Sequence, residues 1–296
     1  MLLVLLRGLF VGSVLSAFGT ALFAAVLMRP VAESLDARSR KLVEPRVRSV
    51  MRLSLAAALP IGVAWLVVEA RDIAGASTLA EMAAAIPDVL LHTSFGHVLA
   101  LQSLAIAGAL AATAVMRWPS LLSVGLAGLA VLLEAAHGHG FAMVDTALLI
   151  SQALHLVASG AWLGALIPLL IVVRDAPLPT AEEVVRRFAT LGSISVAVLA
   201  GTALYQGLVL SGGLRGLTGT AYGGVLLTKA AIFALLLAFA AVNRWRLTPA
   251  LDGPDAETAR RGLVSSIAAE TALGLLVVFA ASALSSLEPG MHMTAG

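Results

Sequence analysis

The sequence has no cysteine and few charged residues, and each deficit excludes a class of protein. Without thiols the chain forms no disulfides and no thiolate-bound metal site, so His, Met, Asp and Glu remain as metal ligands. Charged residues make up 12% of the 296 residues, roughly half the fraction usual in soluble domains. No basic patch points to a nucleic acid as partner, and the net charge is only +2. A soluble domain is therefore disfavoured.

Long apolar runs take the place of charge. Hydrophobic residues form 59% of the sequence, and the mean hydropathy is +0.97. Because about 20 apolar residues cross a lipid bilayer as a helix, we predict an all-α integral membrane protein with about eight transmembrane helices. The whole chain, 1–296, is expected to form a single transmembrane domain. The predicted spans are 3–28, 51–69, 90–116, 119–136, 146–173, 188–210, 222–243 and 263–285.

The basic residues predict the orientation of these spans. Placing the loop 29–52 inside collects 15 of the 19 lysines and arginines on the inner side, in accordance with the positive-inside rule. The outer loops then hold Arg7, Arg71 and Arg215, while Lys229 falls within a span. An even number of spans places both termini outside.

Two sequence patterns recur four spans apart and predict an internal repeat. Thr93–Gln102 resembles Thr220–Lys229, which relates the third span to the seventh. Ser16–Arg29 resembles Ala161–Arg174 more weakly and relates the first span to the fifth. Because four is an even number, the halves would run parallel, as a 4 + 4 duplication with a ligand site between them. The predicted halves are 1–136 and 144–285.

All six histidines fall toward the predicted outer side. His155 is the most informative, because it lies roughly nine residues, or ~14 Å, into the fifth span. Ser151 and Ser159 share its helical face and Trp162 lies nearby, so this polar stripe is expected to face the bundle interior. We interpret His155 as a candidate metal ligand. The alternative is a structural histidine bonded to serine or to backbone oxygen.

The loop after the fourth span supplies a second group of candidate ligands. It contains His137 and His139, followed by Met143. Imidazole and thioether together suit copper, since Met favours Cu(I) and His accepts either oxidation state. The C-terminal run Met291-His292-Met293 has a similar composition. A solvated loop and an ordinary frayed terminus are the alternatives.

Two further histidines open the third span. His92 and His97 are five residues apart, so their side chains point about 140° apart on a helix and cannot share one site. His92 shares a face with Asp88, whereas His97 lies deeper and is the better candidate ligand.

Ionisable groups within spans are costly in lipid and are expected to face protein or water. Lys229 and Glu134 lie at similar depth toward the outside and are candidates for an ion pair. Glu270 lies in the inner half of the last span, near Asn243 and Arg244, where we predict an inner gate or an ion pair. A snorkelling lysine and a purely structural ion pair are the alternatives.

A series of short motifs carries a resemblance to a known family. The motifs are Phe95-Gly96, Gly138-His139, His155 to Gly164, Arg187-Phe188, Tyr222-Gly223 with Lys229, Asn243-Arg244-Trp245 and Ala269-Glu270. In this order and spacing they resemble the CopD family of bacterial inner-membrane copper resistance and copper uptake proteins. The resemblance is densest over the core 137–274.

The resemblance implies copper movement across the inner membrane, often beside a periplasmic copper-binding protein of the CopC family. It implies that His139 and His155 are the leading ligands. The sequence departs from the family at Phe10, where some relatives have histidine, and at Gln102, where a basic residue is expected. No copper-binding domain is fused to the chain, so a CopC-like partner is expected to be a separate protein.

Our first hypothesis is an inner-membrane copper transporter, with both termini periplasmic, that captures copper ions on the periplasmic side and passes them between the halves. One alternative is a b-type haem protein with His97 and His155 as axial ligands. Another is a docking receptor for a periplasmic copper chaperone. Because the sequence has no phosphate-binding glycine loop, nucleophile elbow or HExxH motif, we do not expect an enzyme.

Overall fold

The computed structural model describes residues 1–31, 35–115, 120–137, 145–211 and 213–287. These residues are almost entirely helical and include no β-strand, which confirms the all-α prediction. The helices are α1 (Leu2–Leu22), α2 (Ala37–Ala74), α3 (Leu79–His92), α4 (Ser94–Val115), α5 (Leu121–Glu134), α6 (Thr146–Leu163), α7 (Leu166–Asp175), α8 (Leu178–Leu210), α9 (Gly213–Gly219), α10 (Ala221–Val242) and α11 (Ala256–Leu284). Short π-helical or 3-10 turns extend α1, α5 and α10.

Seven helical stretches of the described ranges are long and apolar enough to cross a membrane. They are Leu2–Val31, Ala37–Ala74, Ser94–Val115, Thr146–Asp175, Leu178–Leu210, Ala221–Asp252 and Ala256–Leu284. The remaining predicted span, 119–136, corresponds to the shorter apolar stretch Leu121–His137. At ~1.5 Å per residue this stretch is ~25 Å long, slightly less than the ~30 Å hydrocarbon core of a bilayer.

Local polar contacts set where α2 and α3 begin and end. Asp36 caps α2 by accepting a backbone hydrogen bond, and α2 ends at Gly75, whose φ of +62° favours glycine. Thr78 and Glu81 form a reciprocal capping box at the start of α3. Hydrogen bonds from the backbone N–H groups of Ser77 and Thr78 hold the pKa of Glu81 below its ordinary value.

Helix α1 is the centre of the bundle and packs against α2, α5, α6 and α11. One apolar cluster joins α1 to α2 and α4 through Phe10, Leu55 and Ile106. A second joins the extension of α1 to α7 through Phe23 and Leu169. Since lipid tails are as apolar as these side chains, close van der Waals packing has to hold the helices together.

Charged residues of the predicted inner loops contact one another at one end of the bundle. Arg46 forms an ion pair with Asp175, and Arg186 pairs with Asp252 at 2.7 Å. Arg260 donates to carbonyl groups at the end of α7. The starts of α2, α8 and α11 therefore lie together with the end of α7, and we call this the arginine-rich end.

The backbones of α1 and α6 touch where they cross. A Cβ on Gly19 would lie 2.2 Å from the carbonyl oxygen of Gly160, and a Cβ on Gly164 would lie 2.0 Å from that of Leu15. Both distances are far below van der Waals contact with rigid backbone atoms. The crossing therefore requires glycine on both helices.

We expect Gly164→Ala to lower the free energy of unfolding by about 1–3 kcal/mol, because the added methyl group forces α1 and α6 apart. The measurement is thermal unfolding of the detergent-solubilised protein. Gly201→Ala is the matched control, since a Cβ there meets nothing within 4 Å. Equal melting of the two variants would contradict the required close contact.

Candidate functional site

His155, on α6, contacts α8 inside the bundle. Its Nδ1 lies 2.8 Å from the Thr202 hydroxyl oxygen, and that hydroxyl donates to the Val198 carbonyl at 2.7 Å. Because the hydroxyl hydrogen is already used, the Thr202 oxygen accepts from Nδ1–H of His155. The tautomer of His155 is thereby fixed with a lone pair on Nε2, which is the form of imidazole that binds a metal ion.

Two cavities meet at His155. The smaller, of about 70 Å³, lies between α1, α5, α6, α10 and α11 and is lined by Arg7, Glu134 and Lys229. The larger, of about 380 Å³, is mainly apolar and reaches Trp162. Lys229 lines both cavities, and no hydrogen bond or ion pair holds its ammonium group within the part of the chain that the structure describes.

A pocket of about 630 Å³, which we call the outer pocket, adjoins the smaller cavity and shares Arg7 with it. The His137 ring packs against the rings of both Trp65 and Phe95, with centroids 5.0 and 5.2 Å away. The guanidinium carbon of Arg7 lies 5.6 Å from the Trp65 ring centroid, within cation–π distance. His137 is thus held by aromatic contacts at the edge of a polar pocket.

A hydrogen-bond network continues from His137 into the bundle. Glu134 accepts from Arg7 at 3.4 Å and from the Gln102 amide at 3.2 Å. The same amide group donates to the Ala130 carbonyl at 2.8 Å, so Gln102 Oε1 faces His137 Nε2 at 3.3 Å. Gln102 therefore links an imidazole to a carboxylate, and Arg7 neutralises that carboxylate.

The ion pair expected between Lys229 and Glu134 is not formed. Arg7 takes the place of Lys229, because α1 packs directly against α5 and carries Arg7 to Glu134. Arg7 is not among the site residues predicted from the sequence, although an arginine inside an apolar run is a signal of a buried role. Trp65 and Thr202 are also absent from that prediction, and neither carries a comparable signal.

His92 and His97 are exposed on α3 and α4, away from these cavities. Nδ1 of His92 lies 3.7 Å from a carboxylate oxygen of Asp88, so these two residues share a face as predicted. Nε2 of His97 lies 2.8 Å from the Leu91 carbonyl oxygen. His97 lines neither of the cavities at His155. The structure therefore gives no support to His97 and His155 as the two axial ligands of a haem.

Several predicted ligands lie outside the described residues: His139, Met143, Met291, His292 and Met293. Within the described residues, no group of three or more His, Asp or Glu side chains is arranged to hold a metal ion. The candidates that the structure does place near one another are His137 and His155, which line adjoining cavities.

A further cavity of about 610 Å³, which we call the inner cavity, lies toward the arginine-rich end. Asn243 donates a hydrogen bond to the buried carboxylate of Glu270, so these predicted neighbours are in contact. Arg244 lines the cavity but donates to the Ala189 carbonyl at 2.9 Å, and among the described residues it forms no ion pair with Glu270. Trp162 lines both this cavity and the larger one at His155.

Two family models match most of the chain. Residues 1–145 match the model described as Copper resistance protein D-like, N-terminal domain, and residues 182–284 match Copper resistance protein D. The chain belongs to the CopD family. The resemblance inferred from the motifs is thereby confirmed. Of the candidate residues, His155 and Trp162 lie between the two matched ranges.

Three curated proteins are similar to this CopD-family chain. Copper resistance protein D of Pseudomonas syringae pv. tomato is 28% identical over 295 residues, which cover 93% of each chain. Copper transport protein CutJ of Bacillus subtilis is 28% identical over 53% of this chain and 28% of its own length. Inner membrane protein YebZ of Escherichia coli is 29% identical over 47% and 48% of the two chains. No solved structure matches the chain.

We expect Glu134→Gln to lower the free energy of unfolding by about 1–3 kcal/mol, because Arg7 would keep a largely buried charge without its counter-ion. Thermal unfolding in detergent measures the change. Glu183→Gln is the control, since Glu183 pairs with Arg187 on an exposed surface, where a pair contributes about 1 kcal/mol or less. If both variants melt together, the Arg7 pair is not a stabilising contact.

Proposed function

We propose that this CopD-family protein carries copper across the bacterial inner membrane and takes up the ion from the periplasmic side. The observation that carries the proposal is the contact of His155 Nδ1 with Thr202, from which we infer an Nε2 lone pair beside a polar cavity deep in the bundle. The names of two relatives, Copper resistance protein D and Copper transport protein CutJ, support copper as the cargo.

The outer pocket is the proposed site of copper capture. His137 lines it, and His139 and Met143, which follow it in the sequence, are proposed as further ligands. From this pocket the ion would pass Arg7 to reach His155, since the outer pocket and the small cavity share that residue. The Met291-His292-Met293 run is a proposed accessory ligand group, and a periplasmic CopC-like protein is the proposed copper donor.

The proposed topology has eight spans and two periplasmic termini, with the short stretch Leu121–His137 as the fourth span in chain order. The uneven distribution of Lys and Arg supports this orientation. The contacts at the arginine-rich end support it too, because they join residues that the charge count assigns to one side.

A parallel 4 + 4 repeat is supported by reciprocal contacts. Helix α1 contacts α11, and α6 contacts α5, so the first span of each half packs on the last span of the other. Thr93 accepts from the Gly96 N–H at 2.9 Å, and Thr220 accepts from the Gly223 N–H at 3.0 Å. An approximate two-fold axis through the crossing of α1 and α6 would place His155 beside the boundary of the halves.

We expect His155→Ala to abolish copper uptake into vesicles containing the protein, because the ligand within the pathway is removed. Thr202→Val should weaken copper binding about 10–100-fold, because it removes the acceptor that fixes the tautomer of His155. Both effects are measured as copper flux and as copper retained by the purified protein.

Thr271→Val is the matched control for these variants. The Thr271 hydroxyl also bonds to a backbone carbonyl one turn earlier, and none of its described contacts is a histidine. Unchanged copper flux and stoichiometry in His155→Ala would defeat the assignment of His155. A Soret band in the purified protein would favour haem over copper.

Reporter fusions test the topology. We expect alkaline phosphatase to be active at both termini, and green fluorescent protein to be dark at both, because eight spans return the chain to the periplasm. Seven spans would place the termini on opposite sides. A cytosolic reporter at either end would contradict periplasmic capture by these histidines.

A further inference from the structure

Glu270 is an acidic group buried in the inner half of the bundle. Its residue surface is 2% exposed, and within the described chain no lysine or arginine forms an ion pair with it. An ionised carboxylate without a cationic partner is costly to hold at such a position. Glu270 therefore has to bind a cation or hold a proton for much of the time.

Asn243 is the polar partner that the structure gives to this carboxylate. Its amide nitrogen donates to Oε1 of Glu270, while its own Oδ1 is buried and has no hydrogen-bond partner. A primary amide offers both a donor and an acceptor. Asn243 can therefore donate to the ionised carboxylate, and its unpaired oxygen is available to accept from the carboxylic acid after a small rotation.

Among the described residues that line the inner cavity, Glu270 is the only acid. The residues of α6, α7, α8 and α10 that line this cavity carry no charge, and Arg244 is the other charged group among the described lining residues. Arg244 is exposed and bonded to Ala189 and Ser193. A single carboxylate with one amide provides too few ligands for a metal ion, but it is sufficient for a proton.

The inner cavity lies next to the proposed copper pathway, because it shares Trp162 with the cavity at His155. Its volume of about 610 Å³ is many times the ~30 Å³ that one water occupies, so the cavity has room for water beside Glu270. Trp162 separates this cavity from the one at His155 and packs edge-on against Phe233, with ring centroids 6.2 Å apart. A movement of Trp162 would therefore affect both cavities.

We propose that Glu270 and Asn243 form a proton-binding site that couples proton movement to copper transport, an inference that rests on the proposed function. When the site takes up a proton from water, an O–H bond forms on the Glu270 carboxylate. When the site releases its proton, that bond breaks and the proton passes to water in the inner cavity. The Asn243 amide then donates to the carboxylate that remains. No electron transfer is involved.

The experiment measures copper uptake into vesicles with pH gradients of opposite sign. Exchange of one proton per copper ion predicts an approximately tenfold change in copper accumulation for each pH unit of gradient. Glu270→Gln keeps the shape and the contact with Asn243 but binds no proton. We expect this variant to retain copper at His155 and to lose the dependence on the gradient, whereas Glu270→Asp keeps it.

Glu257→Gln, an exposed position on the same helix, is the matched control and should behave like the wild type. A gradient dependence that persists in Glu270→Gln overturns the proton site and leaves the proposed function intact. Absence of copper flux in the wild type contradicts the proposed function itself. Infrared spectroscopy tests the site without transport: the carboxylic acid band of the wild type should be missing in Glu270→Gln, and identical spectra overturn the proposal.

Discussion

The close crossing of α1 and α6 is the constraint on which the other contacts depend. Without side chains at Gly19 and Gly164, the two backbones touch. This contact brings Arg7 of α1 and His155 of α6 to one small cavity. The same crossing allows both α5 and α11 to pack against the pair. A wider separation of α1 and α6 would pull apart the residues that line the cavity.

Polar groups within this apolar bundle are held in fixed orientations by neighbouring hydrogen bonds. Thr202 determines which nitrogen of His155 carries the proton, and the Ala130 carbonyl determines which end of Gln102 faces His137. Water is scarce at these depths, so protein groups have to supply the partners. In the proposed copper pathway the ligand atoms would therefore be oriented before an ion arrives, which lowers the cost of ordering them on binding.

Length and apolarity were sufficient to predict the long apolar helices, since a span must be about 20 residues long and leaves a plain signal. The neighbourhood of Glu270 and Asn243 also followed from their depth. The ion-pair partner of Glu134 could not be predicted in this way, because depth in the membrane does not distinguish Lys229 from Arg7. Packing of α1 on α5 decides between them. The contact of Thr202 with His155 was equally unpredictable. A threonine whose hydroxyl bonds to its own helix leaves the same sequence pattern whether or not a histidine on another helix lies next to it.

Trp162 lies where the proposed copper and proton sites come closest. It is 2% exposed, and it forms part of the wall of the cavity at His155 and of the cavity at Glu270. A transporter must keep its two sides from opening at once, and a large ring between two cavities can do this with a small rotation. A Cβ on Gly192 would lie 3.6 Å from the indole, so a larger residue there would restrict that rotation. In this scheme copper and protons bind at separate sites. The two sites affect each other because a rotation of Trp162 changes both cavities.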